Sequence, residues 1–550
     1  GQFTDMGLSR RLMGINPSYT PLGLASAYGA CFGAMAVLFA LTNRDQMGGD
    51  AIEVPLASAL LEGLVYNCQQ VEDYPERYKS PREVELDRRE AKGLPMNLTF
   101  AELEEFLDPF YRTYRCQDGR GFYVVCCSVK DHPNRALRVL GLDALAEELP
   151  DFDGFLDQHD WPAAWSLRNY PVGATDRKCI AHAMQQAFLQ KPSWEWEALF
   201  GAAKAPATAQ RSTAEWLADP HALASGLVLE PDDPRHGRMR QMGNVAWLAE
   251  DGHACDKRAG PQENADRAGI LAILNEDPRT HPTPSKPGGW LDGLNVLDLT
   301  NVIAGPTVGA TLARFGADVT HLQPVSPTVD PWNAVVFGMQ AQRGKRSALI
   351  DLKTQAGQRA FRALLERSDV VTMNGTDAQR DAMGLSPEAL AKINPRLILV
   401  QLDAFGGPKR GPKSDHLGYD DLAQAATGVM TRFGGGADTP EEHAHFGTID
   451  VLTGYCACVA LGTALLRLKR TGKGGVARAS LAAAGNLIQA QFMYDFAGRA
   501  PFDEPSGRDV KGAGPFYRCY QASDNWFFLA APTEGRAILS RAPELAALGT

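Results

Sequence analysis

The stretch Gly293-Leu-Asn-Val-Leu-Asp-Leu-Thr-Asn-Val-Ile-Ala-Gly-Pro306, continued by Thr307-Val-Gly-Ala-Thr-Leu-Ala-Arg-Phe315, decides the fold class. Residues 295–299 read as a buried strand, with Val296, Leu297 and Leu299 as its apolar side chains. A turn at 303–306 follows, with Pro306 suited to the first position of a helix, and residues 307–315 read as that helix. The alternation then continues. Residues 318–322 read as a strand, 355–367 as an amphipathic helix, 369–373 as a strand, 387–393 as a helix and 397–402 as a strand. Strands alternating with helices predict the α/β class, a doubly wound parallel sheet with right-handed crossovers. Such sheets bind ligands beyond the carboxyl ends of their strands, here residues 300–305, Gln323, Pro324, Asn374 and 403–407. The first strand–helix turn holds one Gly followed by Pro rather than GxGxxG, which counts against a dinucleotide dehydrogenase.

Working outward, the chain repeats itself. Gly29-Ala-Cys31, an apolar helix and Gly49-Asp-Ala-Ile-Glu-Val-Pro-Leu56 are matched by Gly454-Tyr-Cys456, an apolar helix and Gly474-Gly-Val-Ala-Arg-Ala-Ser-Leu481. The pairs 29/454, 31/456, 49/474 and 56/481 share one spacing, 425 residues. A second match follows in the same order, Pro109-Phe-Tyr-Arg-Thr-Tyr-Arg-Cys-Gln-Asp118 with Pro515-Phe-Tyr-Arg-Cys-Tyr-Gln-Ala-Ser-Asp524, at a spacing of 406. Two ordered matches separated by a small indel predict tandem copies of a unit of roughly 400 residues. His281-Pro-Thr-Pro-Ser-Lys-Pro-Gly-Gly289 reads as the linker, after a short helix at 264–274 that would close copy one. Residues 1–280 are then copy one and 290–550 copy two. Projected back by the repeat spacing, copy one starts before residue 1, so it is expected to lack its beginning and copy two its end.

Composition bounds the function classes. The chain has 550 residues, 44% hydrophobic and 22% charged, with a net charge of −10. That is ordinary globular composition, and it excludes a disordered chain or a small disulfide scaffold. No Lys/Arg block offers a phosphate footprint, so no nucleic-acid partner is expected. The longest apolar runs, such as 30–41, hold about a dozen residues where a bilayer crossing needs about 20, so no membrane partner is expected either. The ten Cys include no paired CxxC elements, so no metal is expected. Cys31, Cys68, Cys456 and Cys458 read as buried reduced thiols of a cytoplasmic protein.

Four segments can carry chemistry. Gln342-Arg-Gly-Lys-Arg-Ser347, leading to Asp351-Leu-Lys353, sets Arg343, Lys345 and Arg346 around one Gly before a short strand. It suits a phosphate or is a solvated basic loop. Gly434-Gly-Gly436 and Gly512-Ala-Gly514 are flexible Gly segments, most simply turns. Asp450, in Gly447-Thr-Ile-Asp-Val-Leu-Thr-Gly454, precedes a long apolar helix. A carboxylate there is ordinarily a cap. The repeat reweights it, because Asp450 maps onto Ala25 in copy one. A cap is useful in both copies, whereas a duplicated enzyme can keep one working centre.

At these residues the sequence resembles the class III CoA-transferases, the family of formyl-CoA transferase and carnitine CoA-transferase, related to α-methylacyl-CoA racemase. The resemblance is carried by 293–306, Phe315-Gly-Ala-Asp-Val319, Arg343-Gly-Lys-Arg-Ser347, Met383-Gly-Leu385, Asn394-Pro-Arg-Leu-Ile398, Tyr419-Asp-Asp-Leu-Ala-Gln-Ala425, 447–454 and Thr471-Gly-Lys-Gly474. In copy one, Trp216-Leu-Ala-Asp-Pro-His221 and 230–237 resemble the family's later segments. The resemblance implies, for each copy, a Rossmann-like large domain plus a smaller α+β domain, the two copies interlocking as an internal pseudo-dimer, with a homo-oligomer of that unit left open.

The resemblance also implies a site. Asp450 would attack an acyl-CoA thioester to give a mixed anhydride, then an aspartyl-CoA thioester that passes CoA to a small carboxylic acid. Ala304, Gly305, Arg343, Lys345, Arg346 and Asn374 would hold CoA; Trp332, Tyr419, Gly512 and Gly514 would face substrate. CoA is then a substrate, and no cofactor is bound permanently. Copy one lacks the Asp at Ala25 and the Gly loop before Pro109, so it is expected to be inactive. Copy two has Asn301 and Ile303 where transferases often carry His and Gln. It has Tyr419-Asp420 where racemases carry His-Asp, which favours transfer over racemisation. The fused two-copy layout resembles the family's CoA-transferase/lyases that act on dimethylsulfoniopropionate and release dimethyl sulfide. Trp332 and Tyr419 would suit a sulfonium or equally sit in the core. The alternatives kept are an acyl-CoA racemase or isomerase on the same fold, and a non-catalytic acyl-CoA-binding scaffold.

Overall fold

Six strands of one sheet run parallel, in the order Arg346–Leu349, Asp318–Gln323, Asn295–Asp298, Val370–Asn374, Ile398–Asp403, Gly475–Ser480. Counted along the chain from Asn295–Asp298 the order is 3-2-1-4-5-6, which reverses direction between Asn295–Asp298 and Val370–Asn374. A crevice opens at such a reversal, beyond the strand ends. The computed structural model describes residues 3–532 apart from 5–7, 16, 69–70, 75, 128, 130, 150–171, 250–266, 275–287, 326–335, 435–446 and 503–509, together with 535, 541 and 543. Residues 281–287 of the expected linker lie outside the described residues.

The α/β expectation holds element by element. The helix expected at 387–393 is Pro387–Ile393, capped by the Ser386 hydroxyl. The first helix is Ala304–Arg314, three residues earlier than expected at its start. Pro306 is therefore its third residue, not its first. The third amide has no intrahelical partner, so a proline costs nothing there.

A seventh strand was not foreseen. Trp247–Leu248, from before the Pro/Gly stretch, pairs antiparallel with Gly475–Ser480 and closes that edge. A two-residue strand has no periodicity to read. Further pairing joins the two halves, with Tyr494–Phe496 antiparallel to Gly237–Met242.

The two sequence matches have structural counterparts. Helix Leu24–Thr42 packs along helix Thr448–Thr471, and Cys31 Sγ lies 3.9 Å from Cys456 Sγ, its partner 425 residues on. Equivalent residues meeting each other are the mark of a local two-fold axis. Helices Leu56–Gly63 and Leu481–Ile488 start at the same spacing. At the second match, hairpins Tyr111–Arg115/Gly121–Val125 and Tyr517–Gln521/Trp526–Ala530 correspond. Each is closed by a tyrosine hydroxyl donating to a proline carbonyl, Tyr114 to Pro109 at 2.6 Å and Tyr520 to Pro515 at 2.7 Å.

Leu24–Thr42 and Thr448–Thr471 are long and apolar enough to cross a membrane, longer than the dozen-residue runs read from the sequence. Gly, Thr and Cys interrupt the aliphatic runs without interrupting the helices. Thr448–Thr471 has 83% of its apolar window buried inside the fold, which is the burial of a core helix. Tyr28, Met35 and Phe39 share one apolar cluster with Leu452, Tyr455 and Leu461. Among the described residues no His/Cys/Asp/Glu group could hold a metal ion, and the described cysteines are free thiols, with Cys31, Cys456 and Cys458 buried but Cys68, expected to be buried, exposed.

Candidate active site

Helix Thr448–Thr471 begins after Gly447, whose φ of 70° a glycine adopts without strain. Gly447 has no side chain to cap the helix, so its first amides need another acceptor. Asp420, the first residue of helix Asp420–Thr427, supplies one. Its Oδ1 accepts the Asp450 backbone N–H at 2.8 Å, and Gln424 Nε2 holds its other oxygen at 2.5 Å. The cap is thus Asp420, and the Asp450 side chain is released from that duty. Asp450 is 7% exposed, and among the described residues its carboxylate accepts no hydrogen bond. Burial first, then the charges of Asp420 and Asp421, push its carboxyl well above the ordinary carboxylate range. Asp421 is held from the other half of the chain by the Tyr111 hydroxyl at 2.9 Å. Ala25, the repeat partner of Asp450, sits in the first turn of Leu24–Thr42.

The crevice at the strand reversal is built on Asp298, the last residue of its strand and fully buried. Its Oδ1 accepts from the Thr300 hydroxyl at 2.5 Å and the Thr372 hydroxyl at 2.8 Å. Its Oδ2 faces Lys345 Nζ at 2.7 Å and His321 Nδ1 at 3.3 Å. Burial raises the Asp298 carboxyl, but Lys345 and His321 outweigh it and hold the group below the usual range. The turn that follows is strained. Val302 has a φ of 67°, a left-handed conformation that a β-branched residue rarely adopts. Asn374 clamps it, its Oδ1 accepting from the Asn301 N–H at 2.9 Å and its Nδ2 donating to Asn301 Oδ1 at 3.1 Å. A Cβ on Gly305 would stand 2.4 Å from Thr300 Cβ, so this close turn requires glycine there.

A free buried carboxylate at a helix start, beside a strained turn at a parallel-sheet crevice, agrees with the comparison of the sequence with known families. The sequence model of CoA-transferase family III matches residues 6–267 and, a second time, residues 291–542. The chain belongs to CoA-transferase family III. It is 43% identical over 542 residues to the CoA-transferase/lyase DddD of Marinomonas sp. (strain MWYL1), which covers 96% of this chain and 64% of that protein. Over 202 residues it is 32% identical to the acetyl-CoA:oxalate CoA-transferase of Acetobacter aceti, covering 36% and 51%. Over 247 residues it is 30% identical to the α-methylacyl-CoA racemase of Homo sapiens, covering 44% and 62%. The chain thus spans 64% of the length of the first relative, 51% of the second and 62% of the third.

The other residues expected in this family III site divide. Ala304 and Gly305 form the first turn of Ala304–Arg314, both buried. Arg343 is exposed and close enough to Tyr66 to act on its phenol electrostatically. Arg346 is exposed on the edge strand and pairs with Asp318 at 2.7 Å. Lys345 departs from the expectation of a phosphate ligand. Its side chain is 1% exposed, and its ammonium is spent on Asp298 and on the Pro306 carbonyl at 2.9 Å. Spacing alone cannot separate a counter-ion turned inward from one turned to solvent. Asn374 likewise serves the turn. Tyr419 is the N-cap residue of Asp420–Thr427 and is half-buried against the main core. Trp332 lies outside the described residues.

Gly512 and Gly514, expected in a flexible loop, lie in strand Gly512–Gly514, paired with Tyr517–Gln521 across an irregular register. A Cβ on Gly512 would stand 2.2 Å from both the Tyr517 carbonyl oxygen and Arg518 Cβ, so that glycine is needed for strand contact. The preceding Lys511 donates to the carbonyls of Ile15 and Pro17, which ties this segment to the start of the chain.

Sequence reasoning missed Asp298, His321, Tyr66 and Tyr111. Asp298 had a signal, a carboxylate ending the first strand of a doubly wound sheet. The two tyrosines had none, because they reach the Asp450 region from the other repeat.

Proposed function

We propose that this chain moves CoA from an acyl-CoA donor to a small carboxylic acid, with Asp450 as the covalent nucleophile. The observation that carries the reading is the division of labour at the helix start. Asp420 caps the Asp450 amide, and among the described residues nothing donates a hydrogen bond to the buried Asp450 carboxylate. A carboxylate so placed is poorly solvated and a better nucleophile than one in water.

Asp450 Oδ attacks the thioester carbon. The C–S bond breaks, CoA thiolate leaves and a mixed anhydride remains. The thiolate then attacks the Asp450 carbonyl of that anhydride and releases the donor's carboxylate, leaving aspartyl-CoA. An acceptor carboxylate attacks this thioester, and the returning thiolate takes the acceptor's acyl group and frees Asp450. No net proton is consumed, so no acid or base beyond the nucleophile is required.

In this reading Ala304 and Gly305 bring the main chain close to CoA at the crevice, and Arg343 and Arg346 meet its phosphates. Tyr419 faces substrate. Copy one (1–280) and copy two (290–550), joined by 281–289, form an interlocked pseudo-dimer in which copy one is catalytically silent. The Cys31–Cys456 contact and the strand exchange at Trp247–Leu248 support that arrangement. A dimethylsulfoniopropionate acceptor with release of dimethyl sulfide is supported by the tandem layout and by 43% identity to a CoA-transferase/lyase. Racemisation is disfavoured by Tyr419 standing where a His would serve as base. The test is Asp450→Asn with acyl-CoA donors and a panel of acids, dimethylsulfoniopropionate among them. Transfer should vanish while the fold remains.

A further inference from the structure

We infer that Tyr66, which belongs to the first repeat, is a catalytic residue of the second repeat's site, its phenol hydroxyl donating a hydrogen bond to the acyl oxygen that becomes negative when Asp450 attacks. The inference rests on the assignment of Asp450 as nucleophile.

The local two-fold axis carries the argument. Helix Leu24–Thr42 has Gly23 at its N-cap, and helix Thr448–Thr471 has Gly447. A Cβ built on Gly447 would meet Tyr66 Cδ2 at 3.5 Å, and a Cβ built on Gly23 would meet Gln491 Oε1 at 3.6 Å. Tyr66 and Gln491 are separated by 425 residues, the spacing of Cys31 and Cys456. Each repeat therefore lays the same position across the start of the other repeat's long helix. Over the helix that carries Asp450 the residue is a tyrosine. Over the helix that carries Ala25 it is a glutamine whose Nε2 is spent on the Pro21 carbonyl at 2.9 Å. The tyrosine accompanies the carboxylate, and both are replaced at the twin position.

The chemistry of Tyr66 fits the role. Its ring is fixed edge-on to Phe337, with centroids 5.3 Å apart at 77°. The same Gly447 Cβ would meet Ile303 Cδ1 at 3.3 Å, so Tyr66 also borders the strained turn that ends at Ile303. Neighbouring tyrosines have partners: Tyr28 donates to the Thr448 carbonyl, Tyr111 to Asp421 and Tyr455 to Glu62. The half-buried Tyr66 makes no hydrogen bond through its hydroxyl among the described residues. Burial, then the Asp450 charge, push its phenol upward, with Arg343 acting the other way. It stays protonated and able to donate. Attack by Asp450 Oδ moves the carbonyl electron pair onto oxygen, and the phenol stabilises that oxyanion without giving up its proton. Collapse restores the carbonyl and expels CoA thiolate.

The test compares Tyr66→Phe, Gln491→Leu and Asp450→Asn in the exchange of labelled acetate into acetyl-CoA. Loss of an oxyanion donor ordinarily costs about 10²–10³ in kcat. Tyr66→Phe should show such a fall with KM for acetyl-CoA changed less than about threefold and thermal unfolding unchanged, since the ring remains. Gln491→Leu, the mirror position, should stay within about twofold of wild type. A Tyr66→Phe rate near wild type, with Asp450→Asn inactive, overturns the role of Tyr66 alone. Equal losses in Tyr66→Phe and Gln491→Leu overturn it too, because the effect is then one of packing. Exchange retained by Asp450→Asn, or absent in wild type, overturns the underlying assignment as well.

Discussion

Replacing Asp450 by Asn should remove the activity and raise the stability, and the gain should depend on pH. The substitution keeps the side chain's size and deletes its charge. In the wild type that carboxylate is buried, receives no hydrogen bond among the described residues and faces Asp420 and Asp421. Leaving a buried polar group unsatisfied costs about 1–3 kcal/mol, and more when it is charged. A nearby like charge adds to this, about 4 kcal/mol for a pair at about 4 Å and an effective dielectric constant near 20. The wild type avoids part of this by keeping its proton, so a net gain of about 2–4 kcal/mol near neutral pH is expected for the variant. The sign follows from linkage. The folded-state pKa of Asp450 lies above its unfolded value, so the folded chain holds a proton that the unfolded chain releases. Wild-type stability then falls as pH rises from the ordinary carboxylate range, about 4, through the raised value, and levels beyond it. The amide has no such slope. Thermal unfolding of both proteins side by side, from about pH 5 to about pH 8, should show a gap that widens with pH. A variant less stable than wild type at the alkaline end, or a gap that does not move with pH, would refute the reasoning.

Three further outcomes follow from the same geometry. The kcat/KM for acyl-CoA should rise with pH along a limb set above the ordinary carboxylate range, because only ionised Asp450 attacks and its carboxyl is raised; pH–rate profiles check this, and a flat profile through that region contradicts it. Lys345→Met should destabilise the fold by about 3–5 kcal/mol, since it leaves Asp298 buried without its counter-ion, whereas Arg343→Ala should leave the melting temperature alone and raise KM for acyl-CoA; denaturation and steady-state kinetics separate the two. Oxidation of the reduced protein at alkaline pH should join Cys31 to Cys456, now 3.9 Å apart, closing a loop whose chain entropy is worth at most about 6 kcal/mol. It should be slow near neutrality, because the Cys31 contact and burial push the Cys456 thiol upward, and Cys31→Ser should abolish the shifted band on a non-reducing gel.

How far the sequence could be read depended on whether cause and consequence were neighbours along the chain. Strand 295–299 and helix Pro387–Ile393 were legible because periodicity and capping residues are local. The repeat was legible because two blocks kept their residues in order, and its spacing recurs as a contact at Cys31 and Cys456. Asp450 stood out only through its substitution at Ala25. Lys345 was misread because a cation beside a glycine looks the same whether it turns inward to Asp298 or outward to solvent. Gly512 was misread because a glycine demanded by strand contact resembles one demanded by a flexible loop. Trp247–Leu248 was invisible because two residues carry no periodicity, and it shares a second reason with Tyr66 and Tyr111. Each acts on the other half of the molecule, and only the folded repeat brings them there.

The account stands most directly on the covalent chemistry of one side chain. Wild-type protein incubated with acyl-CoA and quenched with hydroxylamine, then digested and examined by mass spectrometry, should carry a hydroxamate on Asp450. Protein incubated without acyl-CoA should not, and Asp420, Asp421 and all other carboxylates should be unmodified in both. A hydroxamate on another residue, or CoA transfer that proceeds with Asp450 never modified, would contradict the assignment of Asp450 as the nucleophile.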